Sequence, residues 1–414
     1  MNFRFQWLGA ILALCLASCA SPTPQGQGPA SGPVSGGPFR LGVDVLADNN
    51  WDLLRGKRVG LICNQTSMTA GGLTTRAAMK RGGVNLVALY SPEHGIDGTV
   101  KAGLKVSSTR DRQTGLPVYS LYGSTRKPTA SMLAPIDVLV FDLQDIGSRS
   151  YTYISTMVLA MEACGENRKE FVVLDRPNPI GGWRVEGPPV APQWKSFVSQ
   201  INVPYVHGMT AGELAMMTAG EGWIRSRPVL RIVRMSGWNR GMLWRDTGLR
   251  WYRTSPNIPH AISPVYYVAT GILGSAAAVD IGIGSDNPFA TAGASGANAG
   301  AFTAYCQRLN FPGVRFTPYS KGEFAGARLS IDPRTPANLT ALDVYMTAEL
   351  NRQTRGRVLG KMTASQANLL NKVYGSDSLR RDLMKGVPPQ RIVSSWSGFE
   401  QGFRARRQRY LSYP

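Results

Sequence analysis

Four apolar runs between residues 58 and 175 each break off in a polar cluster. RVGLIC runs into NQT (Arg58–Thr66), VNLVALY into SPEHG (Val84–Gly95), IDVLVF into DLQD (Ile136–Asp145) and FVVL into DRPNP (Phe171–Pro179). Runs this short and this rich in Val, Ile, Leu and Phe fit strands buried on both faces. LTTRAAMKRGG (Leu73–Gly83) and Tyr151–Ala163 lie between them and carry helical patterning, and PVYSLY (Pro117–Tyr122) is a weaker strand. Strands alternating with helices predict a parallel sheet with helices on both faces. The carboxyl ends of such strands share one edge, where ligands bind. The four clusters, far apart in the chain, therefore converge there.

Polar residues also follow strands simply because loops are wet. Against that, Glu, His, Asp, Gln and Arg recur at these ends in a chain with only 17% charged residues, most of them basic. Glu93 lies between Pro92 and His94-Gly95, at the end of a strand. A cleft closing over such a carboxyl would raise its pKa and suit it to general-acid work, whereas an open loop would leave it to cap a helix or pair with an arginine. Asp142 ends a neighbouring strand and Asp145 follows it. Two carboxyls flanking one bond are the usual equipment for glycoside hydrolysis. Arg149 could neutralise Asp145. Tyr151 and Tyr153 could pack, or offer a face to a sugar ring. Arg176 and Asn178 sit in a loop stiffened by Pro177 and Pro179, either of which could be cis. His207, in PYVHGMT, fits a ligand contact or a structural hydrogen bond equally well.

The start of the chain, MNFRFQWLGAILALCLASC, has a basic residue and then an apolar stretch too short to span a bilayer. Leu16-Ala17-Ser18-Cys19 resembles a bacterial lipoprotein box, so residues 1–18 are expected to be a signal peptide and Cys19 the lipidated residue. Ala20 in the next position favours the outer membrane, on the periplasmic side. Residues 19–38 are nearly all Ser, Pro, Gly and Gln and fit a flexible tether. Globular composition begins at Phe39. Cys63, Cys164 and Cys306 then remain, with no zinc spacing, and fit small buried hydrophobes. The net charge of +20 favours anionic partners such as acidic glycans, lipid head groups or peptidoglycan stems. Nucleic acid does not suit an exported lipoprotein.

Beyond Pro204 the pattern changes. Thr210–Gly222 is a helix, with Thr210 and Glu213 spaced as a capping box. Pro228–Met235 is a strand, Trp238–Pro264 is irregular, and Gly293–Gly300 is loop-like. Thr340–Asn351 and Gln390–Leu411 are helical around a stretch of mixed strands. The division is expected at residue 240, giving a catalytic domain over 39–240 and a second domain over 241–414. There is no GxGxxG after the first strand, no P-loop, no GxSxG and no HExxH, and the three histidines are far apart. Nucleotide and metal chemistry are unsupported.

SPEHG, FDLQDIGSRSYTYI, LDRPNPIGG, EGP (Glu186–Pro188) and HGMTAGELA, followed by SPNIP (Ser255–Pro259), GIGSDNPF (Gly282–Phe289) and a basic helix ending in RYLSY, together resemble the NamZ-type exo-β-N-acetylmuramidases, glycoside hydrolase family one hundred seventy-one. The resemblance covers roughly residues 41–413. It implies a Rossmann-like catalytic domain, a smaller α+β C-terminal domain, a site in the cleft between them and no cofactor. It also implies release of N-acetylmuramic acid from the non-reducing ends of peptidoglycan fragments, with Glu93 catalytic. Asp142 or Asp145 would be the second carboxylate. Asn64, Gln65, His94, Gln144, Arg149, Tyr153, Arg176, Asn178 and His207 would shape the subsite, an arginine holding the lactyl carboxylate. Where the family pattern carries Glu, Asn and Arg in the second half, this chain has Ser275, Ala278 and Ile283, and Val206 replaces a basic residue before HGMT. A murein-binding lipoprotein without turnover, and an esterase or amidase on the same polymer, are the alternatives.

Overall fold

A computed structural model describes residues 39–414. The expected signal peptide, the Cys19 lipidation site and the tether lie outside the described residues. The apolar runs form the centre of the first lobe: β1 (Val59–Ile62), β2 (Leu86–Ser91), β3 (Thr109–Arg110), β4 (Pro117–Ser120), β5 (Val138–Phe141), β6 (Glu170–Leu174) and β7 (Leu230–Val233). They form one sheet in the order β3-β4-β2-β1-β5-β6-β7, parallel except for the short antiparallel edge strand β3.

The sheet is buried on both faces because its side chains alternate. Val138 and Val140 join the core beneath the helices Gly42–Asp48 and Thr75–Arg81, whereas Leu139 and Phe141 join the core beneath Tyr153–Glu166 and Ala211–Gly220. Phe171 and Val173 repeat this alternation against Val172 and Leu174. Each such fully buried side chain contributes about 1.5–3 kcal/mol. Gly60 is required in β1, because a Cβ there would lie 2.7 Å from the Tyr90 ring. The Thr210–Glu213 capping box forms as expected. Cys63, Cys164 and Cys306 are free and buried. No cis peptide bond occurs among the described residues, so the bonds to Pro177 and Pro179 are trans.

The second lobe holds an antiparallel sheet of β8 (Val279–Asp280), β9 (Thr291–Ser295), β10 (Val314–Lys321) and β11 (Phe324–Ile331), in the order β10-β11-β9-β8. Two expectations fail here. Gly293–Gly300 is not a loop: its first part belongs to β9 and its end opens the helix Ala299–Arg308. The two strands pass very close: a Cβ on Gly293 in β9 would lie 3.1 Å from the Ala325 carbonyl, and one on Gly326 in β11 would meet the Ala292 carbonyl at 2.0 Å. The stretch between Asn351 and Gln390 is not mixed strands but carries the short helices Arg357–Gly360, Ala364–Tyr374 and Ser378–Met384. The expected division at 240 falls in the irregular connection between β7 and the helix Ser263–Thr270.

One hydrophobic core runs from the first sheet into the second lobe, joining Phe141 and Met157 to Phe302, Leu342 and Leu350. The C-terminus then returns to the first lobe. The Tyr413 hydroxyl donates to Asp175 at 2.6 Å, and Arg407 donates to the carbonyls of Gly182, His207 and Gly208.

Candidate active site

The strand order places β1 and β5 side by side where successive connections run in opposite directions, the switch point at which open α/β sheets bind ligands. Glu93 follows β2, next to β1. The turn that carries it is tight: His94 has φ 72° and Gly95 φ 79°. A left-handed conformation at a non-glycine residue costs roughly 1–2 kcal/mol. It is held by a 2.7 Å contact between His94 Nδ1 and the Val100 carbonyl. Both Glu93 oxygens are fixed. The Gly103 N–H donates to Oε1 at 2.8 Å, and the Thr152 hydroxyl donates to Oε2 at 2.6 Å.

Glu93 and His94 open onto a cleft of about 780 Å³, open solvent included, walled by both lobes. Ser150, Tyr151 and Thr152 come from the first lobe, Ser255 and Asn257 from the irregular connection, and Tyr267, Phe289 and Val373 from the second lobe. The rings meet edge to face along the wall, with Tyr151 and Tyr267 centroids 6.4 Å apart at 89° and Tyr267 and Phe289 4.9 Å apart at 69°. Such a surface suits the apolar face of a sugar.

The two aspartates differ. Asp142 is wholly buried and fully partnered: Arg176 donates to its oxygens at 2.6 and 3.0 Å, and the Thr75 hydroxyl donates as well. It is a structural ion pair and does not line the cleft. Asp145 accepts the Gly147 N–H at 2.7 Å through Oδ2, and its Oδ1 has no protein partner. Burial pushes its pKa up to about 7. Asp145 lies behind the aromatic wall. Burial raises the Tyr267 phenol, and the charges of Glu93 and Asp145 raise it further. Among the described residues no group of three or more His, Cys, Asp or Glu could hold a metal ion.

Two adjoining family models, for the N-terminal and C-terminal parts of the exo-β-N-acetylmuramidase NamZ, match residues 59–262 and 265–413. The chain belongs to the NamZ exo-β-N-acetylmuramidase family. It is 37% identical over 386 residues to the peptidoglycan β-N-acetylmuramidase NamZ of Bacillus subtilis, covering 90% of this chain and 91% of that protein. Two crystal structures of DUF1343 family proteins from Bacteroides fragilis are similar, each covering 91% of this chain and 99% of its own. One is 41% identical with a TM-score of 0.85, the other 25% identical with a TM-score of 0.71.

Most polar residues picked from the NamZ-like motifs stand behind the cleft rather than in it. Asn64 donates to the Tyr153 hydroxyl, which donates to the Thr254 carbonyl, and Gln65 donates to the carbonyls of Arg253 and Thr254. These three hold the segment that presents Ser255 and Asn257. Arg149, expected at the lactyl carboxylate or on Asp145, is buried. It donates to the carbonyls of Pro188, Val203, Val373 and Tyr374 and to Ser199, which joins the lobes. Asn178 is buried and donates to the Met209 carbonyl. His207 is buried too, and burial, followed by the charges of Arg407 and Arg149, lowers it to about 3 and keeps it neutral. Gln144 and Arg176 line a separate, smaller cavity of about 350 Å³ beside Thr66 and Trp244.

The sequence missed Thr152 and Tyr267. Thr152 stood in a quoted motif, but nothing local marks a threonine as a carboxylate's partner. Of the departures from the NamZ pattern, Ser275 lines the cleft, Ala278 has φ 51°, Ile283 is exposed and Val206 is buried.

Proposed function

We propose that this protein is an exo-acting glycoside hydrolase that releases N-acetylmuramic acid from the non-reducing ends of peptidoglycan fragments in cell-wall turnover. Membership of the NamZ family supports the reaction. One observation carries the assignment to this site: Glu93 faces an inter-lobe cleft with each oxygen held by a fixed donor. Glu93 gives its proton to the glycosidic oxygen as the bond to the anomeric carbon breaks. Asp145, rather than Asp142, is the second carboxylate, because both Asp142 oxygens are taken by Arg176 and Thr75 whereas Asp145 Oδ1 has no protein partner. Its negative charge, which reaches Tyr151 and Tyr267 of the cleft wall, stabilises the cation-like anomeric carbon. Tyr151, Tyr267 and Phe289 give the sugar its apolar wall. His94 shapes the turn that aims Glu93.

Incubation with a chromogenic β-N-acetylmuramide and with defined muropeptides tests this. Release of free N-acetylmuramic acid is expected. Loss of a peptide or acyl group instead would assign an amidase or esterase, and tight binding without release would assign a binding module.

We also propose that Cys19 is lipidated and anchors the protein on the periplasmic face of the outer membrane, on the support of the Leu-Ala-Ser-Cys box. A Cys19→Ser protein that stays membrane-bound would overturn this.

A further inference from the structure

N-acetylmuramic acid differs from N-acetylglucosamine by a lactyl ether that carries a carboxylate. An enzyme selective for muramyl ends needs a cation at that group. The inner arginines are already committed, Arg149 to carbonyls and Arg176 to Asp142. Elsewhere in the first lobe, Arg76 pairs with Asp111, and Lys127 pairs with Glu162 and Glu166.

Arg126 is different. It is exposed, yet its guanidinium carbon lies over two rings, 4.9 Å from the Tyr122 centroid and 4.5 Å from that of Phe197. Contact through the ring faces leaves guanidinium N–H groups free for a bidentate partner. No carboxylate among the described residues pairs with it. The backbone beneath is fixed, since the Thr125 hydroxyl donates to the Lys127 carbonyl and accepts the Lys127 N–H.

The aromatic platform connects to the catalytic carboxylate through one loop. Tyr122 and Phe197 pack with Val106, and the Val106 N–H donates to the Tyr122 carbonyl at 2.8 Å. The same loop presents Ala102 to the cleft and Gly103 to Glu93. Val198, next to Phe197, lines the cleft. The Tyr122 phenol lies within range of both charges: burial raises it to about 12, with Glu93 raising it and Arg126 lowering it. An unpaired cation is therefore held on rings packed against the loop that donates to the general acid.

We propose that Arg126 recognises the lactyl carboxylate of the muramyl unit and thereby selects muramyl over glucosaminyl ends. This rests on the muramidase reading above. Lys101 and Arg253 are also exposed beside cleft-lining residues, but no ring among the described residues holds either of them. A lysine on a flexible stem also cannot offer a paired edge.

The test compares binding of N-acetylmuramic acid and N-acetylglucosamine by titration calorimetry or ligand-observed NMR, with turnover measured separately. The wild type is expected to prefer the muramic acid by about 10- to 100-fold, the range of a charge-assisted hydrogen-bond pair. Arg126→Gln should erase the preference, Arg126→Lys should keep part of it, and Lys101→Gln should leave it intact. A matching thermal melt for each variant excludes misfolding. An undiminished preference in Arg126→Gln, or none in the wild type, overturns the assignment. If wild type releases muramic acid while Arg126 proves indifferent, the inference falls and the muramidase reading stands. If Arg126 sets the preference and no substrate is cleaved, the reverse holds.

Discussion

Replacing Glu93 by glutamine removes the proton and leaves the shape. The Gly103 N–H can only donate, so it claims the amide oxygen. The amide NH2 then takes the position where Oε2 accepted from Thr152, and the threonine hydroxyl turns to accept instead. Both hydrogen bonds survive in neutral form, at a stability cost on the order of 1 kcal/mol. Catalysis loses far more. A positioned general acid contributes about 10²- to 10⁴-fold, or roughly 3–5 kcal/mol of barrier. The loss must depend on the leaving group. A 4-nitrophenolate departs without protonation, whereas a sugar alkoxide does not. The assay therefore pairs an aryl β-N-acetylmuramide with a muramyl-glucosamine disaccharide. Glu93→Gln should fall near the top of the range on the disaccharide and much less on the aryl glycoside. Equal losses on both would refute the acid role, and near-normal turnover of the disaccharide would remove Glu93 from the mechanism.

Other perturbations separate structural from catalytic carboxylates. Asp142→Ala leaves Arg176 buried without its partner and should cost about 3–5 kcal/mol in urea unfolding; a change under 1 kcal/mol would contradict the ion-pair assignment. Asp145 has its folded pKa raised to about 7 from 3.8, so the folded state keeps a proton that the unfolded state loses between these values. The stability it contributes is full below about pH 4 and is lost as pH rises through 7. Asp145→Asn should thus be more stable than wild type at pH 8, with the gap closing towards pH 4, and parallel stability profiles would refute this. The same variant should lower kcat and flatten the limb of the rate profile that rises through pH 7 as the carboxylate ionises. Arg149→Met strips donors from four carbonyls between the lobes and should cost at least about 3 kcal/mol; a selective rise in KM without destabilisation would return Arg149 to the substrate.

The sheet was legible because burial on both faces demands unbroken apolar runs, and a run such as Val138–Phe141 has few alternatives. Glu93 was legible for a related reason: a strand end shared by several clusters is a ligand edge in any open parallel sheet. Sorting the rest was not possible from the chain alone. Asn64, Arg149, Asn178 and Asp142 have the residue types of a binding site, but they satisfy buried backbone groups or other buried side chains, and their neighbours come from positions up to 225 residues away. Gly293–Gly300 misled for the opposite reason. Small residues imitate a loop, while here they admit a neighbouring backbone.

The sequence by itself determined the parallel sheet, its ligand edge and the strand-end placement of Glu93, because these follow from local periodicity and from the geometry of a parallel sheet. Only the tertiary structure decided which polar side chains face the cleft, that Asp145 rather than Asp142 keeps an unpartnered oxygen, and that Arg126 lies over two rings without a carboxylate partner. Those outcomes depend on desolvation and hydrogen-bond competition among residues far apart in the chain, within the first lobe for Asp142 and Arg126 and across both lobes for the cleft and Arg149.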